Sequence, residues 1–272
     1  MTGKQNLHTH TTYVDGNKSA EDMIKAALQM GMTSIGFSEH SHLPFDKIYS
    51  MTQESTREYA KEIAELKEKY RGKIDVFLGL ERDYFSEIEP EIKFDYVIGT
   101  AHWFKRAGEY ICVDNGADLQ NAAVKRCCGG DYYTFAEEYY AVMANIVKET
   151  KADIVGHFDL VTKYNQNNRA FDENHPRYIY AAISAMDEIL KNCKIFEINT
   201  GAVYRYGKKE QYPSTYLLKE LKVRGGEVLL SSDSHCAESL CYYFDEMTEL
   251  VKACGFKHIK RLTADGVIDV KI

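Results

Sequence analysis

Seven times along the chain, a short apolar run ends in or beside a histidine or a carboxylate and then gives way to a helical pattern. The runs are Gln5–His8, Thr33–Ser38, Asp75–Leu80, Tyr96–Thr100, Asp153–Gly156, Ile195–Asn199 and Glu227–Ser232. Most are apolar at both alternating positions, as expected of strands buried on both faces of a parallel sheet. Between them the spacing predicts helices over Ser19–Met30, Thr52–Tyr70, Phe135–Thr150, Pro176–Asn192, Tyr212–Arg224 and Ser239–Cys254. Ser19 with Asp22 three residues on reads as a helix start resembling a capping box. Gly31, Gly225 and Gly255 stand just past helix ends, where a left-handed residue is favoured.

Strand–helix alternation of this kind admits a closed (β/α) barrel or a large doubly wound sheet. The polar residues decide between them. Strand one ends in His8-Thr9-His10, strand two in Glu39-His40-Ser41-His42, strand three in Glu81 and strand four in His102. Strand five ends in His157, strand six carries Glu197, and strand seven ends in Asp233-Ser234-His235. A parallel barrel brings all its strand C-termini to one face, where barrel active sites are built. An open sheet would spread the same groups along a line. The sequence therefore predicts a closed seven-stranded (β/α) barrel, with residues 1–272 forming one domain.

Imidazole and carboxylate together suit Zn, Mn or Fe(II). His8 and His10 fall on one face of an extended segment, since side chains alternate along a strand. About nine convergent ligands exceed what one tetrahedral ion takes, and suit two or three ions sharing carboxylates. His175 and His258 fall outside every strand end and read as ordinary surface or helix-terminus histidines.

Composition narrows the partners. The formal net charge is -7, so the chain has no global attraction for nucleic acid or anionic membranes. A small phosphorylated molecule remains open, because bound cations supply positive charge locally. No apolar stretch reads as a signal peptide or membrane span. The seven cysteines include no CxxC pair, and Cys127-Cys128-Gly129-Gly130 reads as a loop. Reduced thiols and a cytoplasmic location are the expectation.

The strand-end segments resemble the signature of the PHP (polymerase and histidinol phosphatase) family. They are His8-Thr9-His10-Thr11 with Asp15-Gly16, Ser38-Glu39-His40, Gly79-Leu80-Glu81, Gly99-Thr100-Ala101-His102, Gly156-His157-Phe158-Asp159 and Ser232-Asp233-Ser234-His235. The resemblance spans residues 5 to 236, in order. Three further stretches are similar to the stand-alone histidinol-phosphate phosphatases: His40–Phe45, Gly156–Tyr164, and Glu197–Gly201 followed by Arg205 and Tyr212-Pro213.

What the resemblance implies is a distorted, TIM-like seven-stranded (β/α) barrel with a trinuclear site of divalent Zn, Fe or Mn. One ion would be held by His8, His10, Glu81 and Asp233, and a second by Glu81, His102 and His157. A third would use His40 and His235, with Asp15 as a further candidate. Glu39 stands where many relatives have Asp, and is expected to orient a histidine. The implied reaction is hydrolysis of a phosphate monoester, L-histidinol phosphate to L-histidinol and phosphate in histidine biosynthesis. The alternative is another small phosphate ester or a nucleotide. A non-catalytic domain of the kind attached to polymerases fits less well, because the ligand set is complete. Arg205 and Lys163 are candidates to neutralise phosphate, and His42 to contact substrate and protonate the leaving group. The long segment Trp103–Tyr133 is expected to cover the site, with Glu109, Asp114 and Asp118 available to a cationic substrate.

Overall fold

The computed structural model describes residues 4–87 and 91–272. Seven parallel strands form one sheet in sequence order: β1 (Gln5–Asn6), β2 (Ser34–Phe37), β3 (Asp75–Asp83), β4 (Tyr96–Thr100), β5 (Ile154–Val155), β6 (Ile195–Asn199) and β7 (Glu227–Ser231). Beyond the ends of β7 and β1, a parallel bridge between Ser234 and Thr9 joins the first strand to the last. His10 N donates to Ser234 O at 2.8 Å and Ser234 N to His8 O at 3.0 Å. The nearly closed barrel expected from the converging strand ends is therefore present. Its distortion comes from unequal strands: β3 has nine residues, whereas β1 and β5 have two each.

The floor of the barrel is apolar. Leu7, Phe77, Tyr96, Ile98, Ile154 and Leu229 form a cluster of their own. Tyr96 fills the interior, and its hydroxyl donates to the carbonyls of Leu7 and Phe37. Glycine at position 79 permits this, because a Cβ there would sit 2.1 Å from the Tyr96 ring. Above this plug, the polar strand ends form the next layer. Two larger apolar clusters pack the helices on the outside of the sheet.

Local signals set most helix limits. Ser19 caps the helix Ala20–Gln29 by accepting from Asp22 N, and Thr52 with Ser55 forms a reciprocal box before Gln53–Lys69. Gly31, Gly225 and Gly255 have positive φ. Other expectations need correction. The helix expected over Phe135–Thr150 is two, Tyr132–Met143 and Ile146–Thr150. Asn145 sits at the break, with its side-chain amide on Ala141 O at 3.1 Å, the kind of local bond that competes with helix. The helix expected from Tyr212 begins at Thr215, because the Tyr212 backbone pairs with Asn199 in an antiparallel bridge. The helix expected from Ser239 begins at Phe244. Cys127 ends a helix, Ala117–Cys127, before the turn at Gly129-Gly130.

The segment after β4 has its own structure: a hairpin of Trp103–Arg106 with Glu109–Cys112, then the helix Ala117–Cys127. A second hairpin, His258–Thr263 with Gly266–Lys271, ends the chain and bonds back to Gln5 at the start of β1. Among the described residues no helix is long and apolar enough to cross a membrane.

Candidate metal centre

All nine expected ligands lie at the C-terminal face of the barrel. β1 runs directly into His8 and His10, both fully buried. Their Nε2 atoms stand 3.4 and 3.5 Å from Glu81 Oε2, and 3.6 and 3.3 Å from Asp233 Oδ1. Bonds of about 2.0–2.1 Å would place tetrahedral ligand atoms about 3.3 Å apart. Among the described residues, His8 Nε2 and both ring nitrogens of His10 are buried without a hydrogen-bond partner. Buried polar atoms are normally paired. This donor set therefore fits a divalent cation.

Glu81 reaches in two directions. Oε2 faces His40 Nδ1 at 2.8 Å, and Oε1 faces His157 Nε2 at 2.8 Å and His102 Nε2 at 3.5 Å. A third group gathers His10, Asp15, His40 and His235, with His235 Nε2 at 3.0 Å from Asp15 Oδ2. His40 thus stands between two groups, touching Glu81 on one side and Asp15 on the other. Asp15 owes its position to Gly16, where a Cβ would lie 2.5 Å from Thr11 N. Asp233 has φ 46, a left-handed conformation that is strained for a non-glycine residue.

The electrostatics are those of ionised carboxylates facing imidazoles. Burial works against ionised Glu81, yet His40, His8, His102 and His157 hold its pKa well below the usual range. Asp233 is held low against its burial by Arg205, His8, His10 and His235. Burial disfavours charge on His40, but Glu81, Asp15 and Glu39 raise it to about 10. Burial lowers His235 to about 4, helped by His10 and Arg205. Protons and metal ions compete for the same lone pairs, so the carboxylates that favour a proton on His40 also favour a cation there.

Around the ligands lies a set of orienting groups. Glu197 Oε2 takes His8 Nδ1 at 2.8 Å, while its Oε1 accepts from His157 N at 2.7 Å. Glu39 accepts from Thr11 N and Thr11 Oγ1, with Oε2 at 3.7 Å from His10 Nδ1. Asp83 accepts from His102 N at 2.8 Å and faces its Nδ1 at 3.4 Å. The sequence reading missed Asp83. Its signal was the i,i+2 spacing from Glu81 along one strand, which puts both carboxylates on the same face.

A cavity of about 700 Å³ opens above these groups. Its lining includes Asp15, His40, Glu81, His102, His157, Asp233 and His235, together with Lys163 and Arg205. Arg205 donates from Nη2 to Asp233 Oδ2 at 2.8 Å and meets the His235 ring through Nη1. Lys163 donates to the Asp114 carboxylate and carbonyl at 3.0 and 3.1 Å, so it is tied to a neighbour. Of the three acidic residues expected to meet a cationic substrate, Asp114 lines the cavity. Glu109 pairs with Arg126 at the surface and Asp118 is exposed.

His42 is a correction. Its Nδ1 meets Met51 O at 2.9 Å, and it lines a separate small recess with Gln53, Thr56, Leu80, Glu87 and Phe94. Backbone pairing with β3 ends at Ser41, ahead of the turn at Pro44-Phe45, so the strand rule that places His40 does not extend to His42. The ring does not reach the large cavity, which removes it as the expected proton donor. His175 caps the helix Pro176–Ile189 by accepting from Arg177 N, as a helix-terminus histidine.

A family model described as "PHP domain" matches residues 6–201. The histidinol-phosphatase of Bacillus subtilis is 27% identical over 269 residues, covering 90% of this chain and 98% of its own. The histidinol-phosphatase of Lactococcus lactis is 26% identical, covering 94% of this chain and 93% of its own. A crystal structure of histidinol phosphate phosphatase from Lactococcus lactis, complexed with Zn, L-histidinol and phosphate, shares the fold. It has a TM-score of 0.75 at 22% identity, covering 98% of this chain and 99% of that one.

Proposed function

From a chain that belongs to the PHP family, we propose a metal-dependent phosphoric monoester hydrolase that converts L-histidinol phosphate to L-histidinol and phosphate. The observation that carries this is the buried cluster of His8, His10, Glu81 and Asp233, with imidazole nitrogens left unpartnered under a cavity of small-molecule size. The names of the relatives supply the substrate, and the relative crystallised with Zn, L-histidinol and phosphate supports both metal and substrate class. The whole chain, residues 1–272, acts as one domain.

Three divalent ions are the proposed complement, of Zn, Fe or Mn. His8, His10, Glu81 and Asp233 would hold one, and Glu81, His102 and His157 a second. Asp15, His40 and His235 would hold the third. When bound, such ions lower the pKa of water and supply positive charge at phosphoryl oxygens. The chain's own groups do the rest. Glu197 and Asp83 fix the rings of His8 and His102 through hydrogen bonds and close contacts. Arg205, held against Asp233, presents a guanidinium suited to paired contacts with phosphate oxygens. Lys163 steadies Asp114 at the cavity wall. In the reaction, water adds at phosphorus as the ester P–O bond breaks.

Elemental analysis of protein purified without chelators tests the metal reading, with about three ions per chain expected and no bound metal overturning it. A panel of phosphate esters on metal-reconstituted protein tests the substrate. L-Histidinol phosphate should exceed a generic aryl phosphate in kcat/KM by about a hundredfold or more, the scale of one or two specific polar contacts. Equal turnover of both would replace histidinol phosphate with a general phosphoester substrate.

A further inference from the structure

With His42 turned away and Lys163 tied to Asp114, the ester oxygen that must leave has no assigned hydrogen-bond donor. The cavity contains one, at Tyr212, to which the sequence assigned no role in the chemistry. Tyr212 lines the cavity and is buried, yet its hydroxyl has no hydrogen-bond partner among the described residues. The residue is held firmly. Its backbone pairs with Asn199 at the end of β6, Asn199 N donating to Tyr212 O at 2.7 Å and Tyr212 N to Asn199 O at 3.0 Å. Its ring meets His157 edge-on at 6.5 Å, and Lys208 Nζ lies 4.9 Å from its centre on a cation–π contact. An unsatisfied buried hydroxyl costs stability of its own, about 1–3 kcal/mol in general. A buried, unpaired donor on a firmly held residue that lines a cavity is what a site built to bind an oxygen looks like.

We propose that the Tyr212 hydroxyl donates a hydrogen bond to the leaving ester oxygen of the bound phosphate ester. This rests on the phosphoester-hydrolase reading above. Arg205 and the metal-holding groups face the non-bridging oxygens, and Tyr212 serves the bridging one. As the P–O bond to water forms, the P–O bond to the ester oxygen breaks and leaves its electron pair there. The hydrogen bond strengthens as that charge develops. The attacking water releases a proton and the departing alkoxide takes one up through solvent, so Tyr212 keeps its own. Burial, with Asp159 and Asp114 nearby, holds the phenol well above its ordinary pKa, which keeps it a donor.

The test is Tyr212→Phe in the metal-loaded full chain. Its kcat should fall about a hundredfold on L-histidinol phosphate and glycerol phosphate, whose alkoxides leave poorly. On p-nitrophenyl phosphate, whose leaving group needs little help, the fall should be less than about fivefold. The melting temperature should stay level or rise, because no internal hydrogen bond is lost. Equal losses on alkyl and aryl esters, or a lowered melting temperature, would overturn the assignment. If the wild-type protein hydrolyses none of these esters, the phosphatase reading fails separately. Tyr212 is then judged by inorganic phosphate, whose fourth oxygen takes the ester position. Binding weakened about threefold or more by Tyr212→Phe supports the donor role, and unchanged binding overturns it.

Discussion

The floor and the mouth of the cavity are built on different principles. The floor is made of side chains at the ends of β-strands, where backbone pairing fixes each one. His8, His10, Glu81 and Asp233 are all buried there, and each touches two or more of the others. The mouth is made of connections: the turn after β2, the hairpin after β4 and the loop after β5. It is held by aromatic packing, with Phe45 stacked on Tyr110 at 3.8 Å and edge-on to Trp103 at 5.3 Å. The ion pair of Lys163 with Asp114 ties the hairpin side to the loop after β5. The floor handles what every phosphate ester shares, and the mouth faces what distinguishes one ester from another. Rate should therefore depend on the floor, and substrate choice on the mouth.

The largest effect should come from Glu81→Ala. Glu81 touches His8, His10, His40, His102 and His157, so its loss disturbs more than one metal position. Activity should fall by more than about a thousandfold, beyond the roughly 10–100-fold typical of groups that only orient a ligand. Metal content should fall by more than one ion. Loss of activity with full metal retained would show that Glu81 does not bridge.

The two regions also differed in how far the sequence revealed them. The floor was legible because a strand end is a fixed address: His8, Glu81, His157 and Asp233 each follow an apolar run, and parallel pairing brings such addresses together. Glu39 and Glu197 were visible on the same grounds, though not the atoms they touch. The mouth was not legible, because a connection has no such rule. Trp103–Tyr133 was recognisable as too long for a simple turn, but its hairpin depends on packing with Phe45 and Phe85 from other loops. Tyr212 was read as a helix start, since nothing in its neighbourhood announces an antiparallel bridge back to Asn199 at the end of β6. His42 failed for a related reason: alternation holds within a strand and lapses where its pairing ends.

Asp114→Asn probes the mouth. Among the described residues, the Asp114 carboxylate has Lys163 Nζ on Oδ2 at 3.0 Å and only the Cys112 thiol on Oδ1 at 3.3 Å, which leaves capacity for a cationic group from the cavity side. L-Histidinol phosphate carries an amine, and an ester without one does not. The ratio of kcat/KM between two such esters should fall about tenfold, the scale of one charge-assisted hydrogen bond. A parallel fall for both esters would mean that Asp114 serves only to hold Lys163 and Tyr164, and that the mouth reads the substrate elsewhere.

The smallest effect, and the sharpest test of where the floor ends, should come from His42→Ala. His42 is two residues from His40 and belongs to a segment rich in site histidines, so proximity in sequence argues for a role in catalysis. Geometry argues against it: the ring bonds to Met51 O and shares its recess with Gln53, Thr56 and Phe94. Removing the ring forfeits one hydrogen bond of ordinary strength, about 1 kcal/mol of stability. The turnover number should change by less than about threefold, and metal content not at all, because no ligand atom loses a neighbour. A hundredfold loss of kcat with metal content intact would mean that the ring swings into the cavity during turnover. The leaving oxygen would then have His42 as its donor, and the turn after β2 would belong to the catalytic floor.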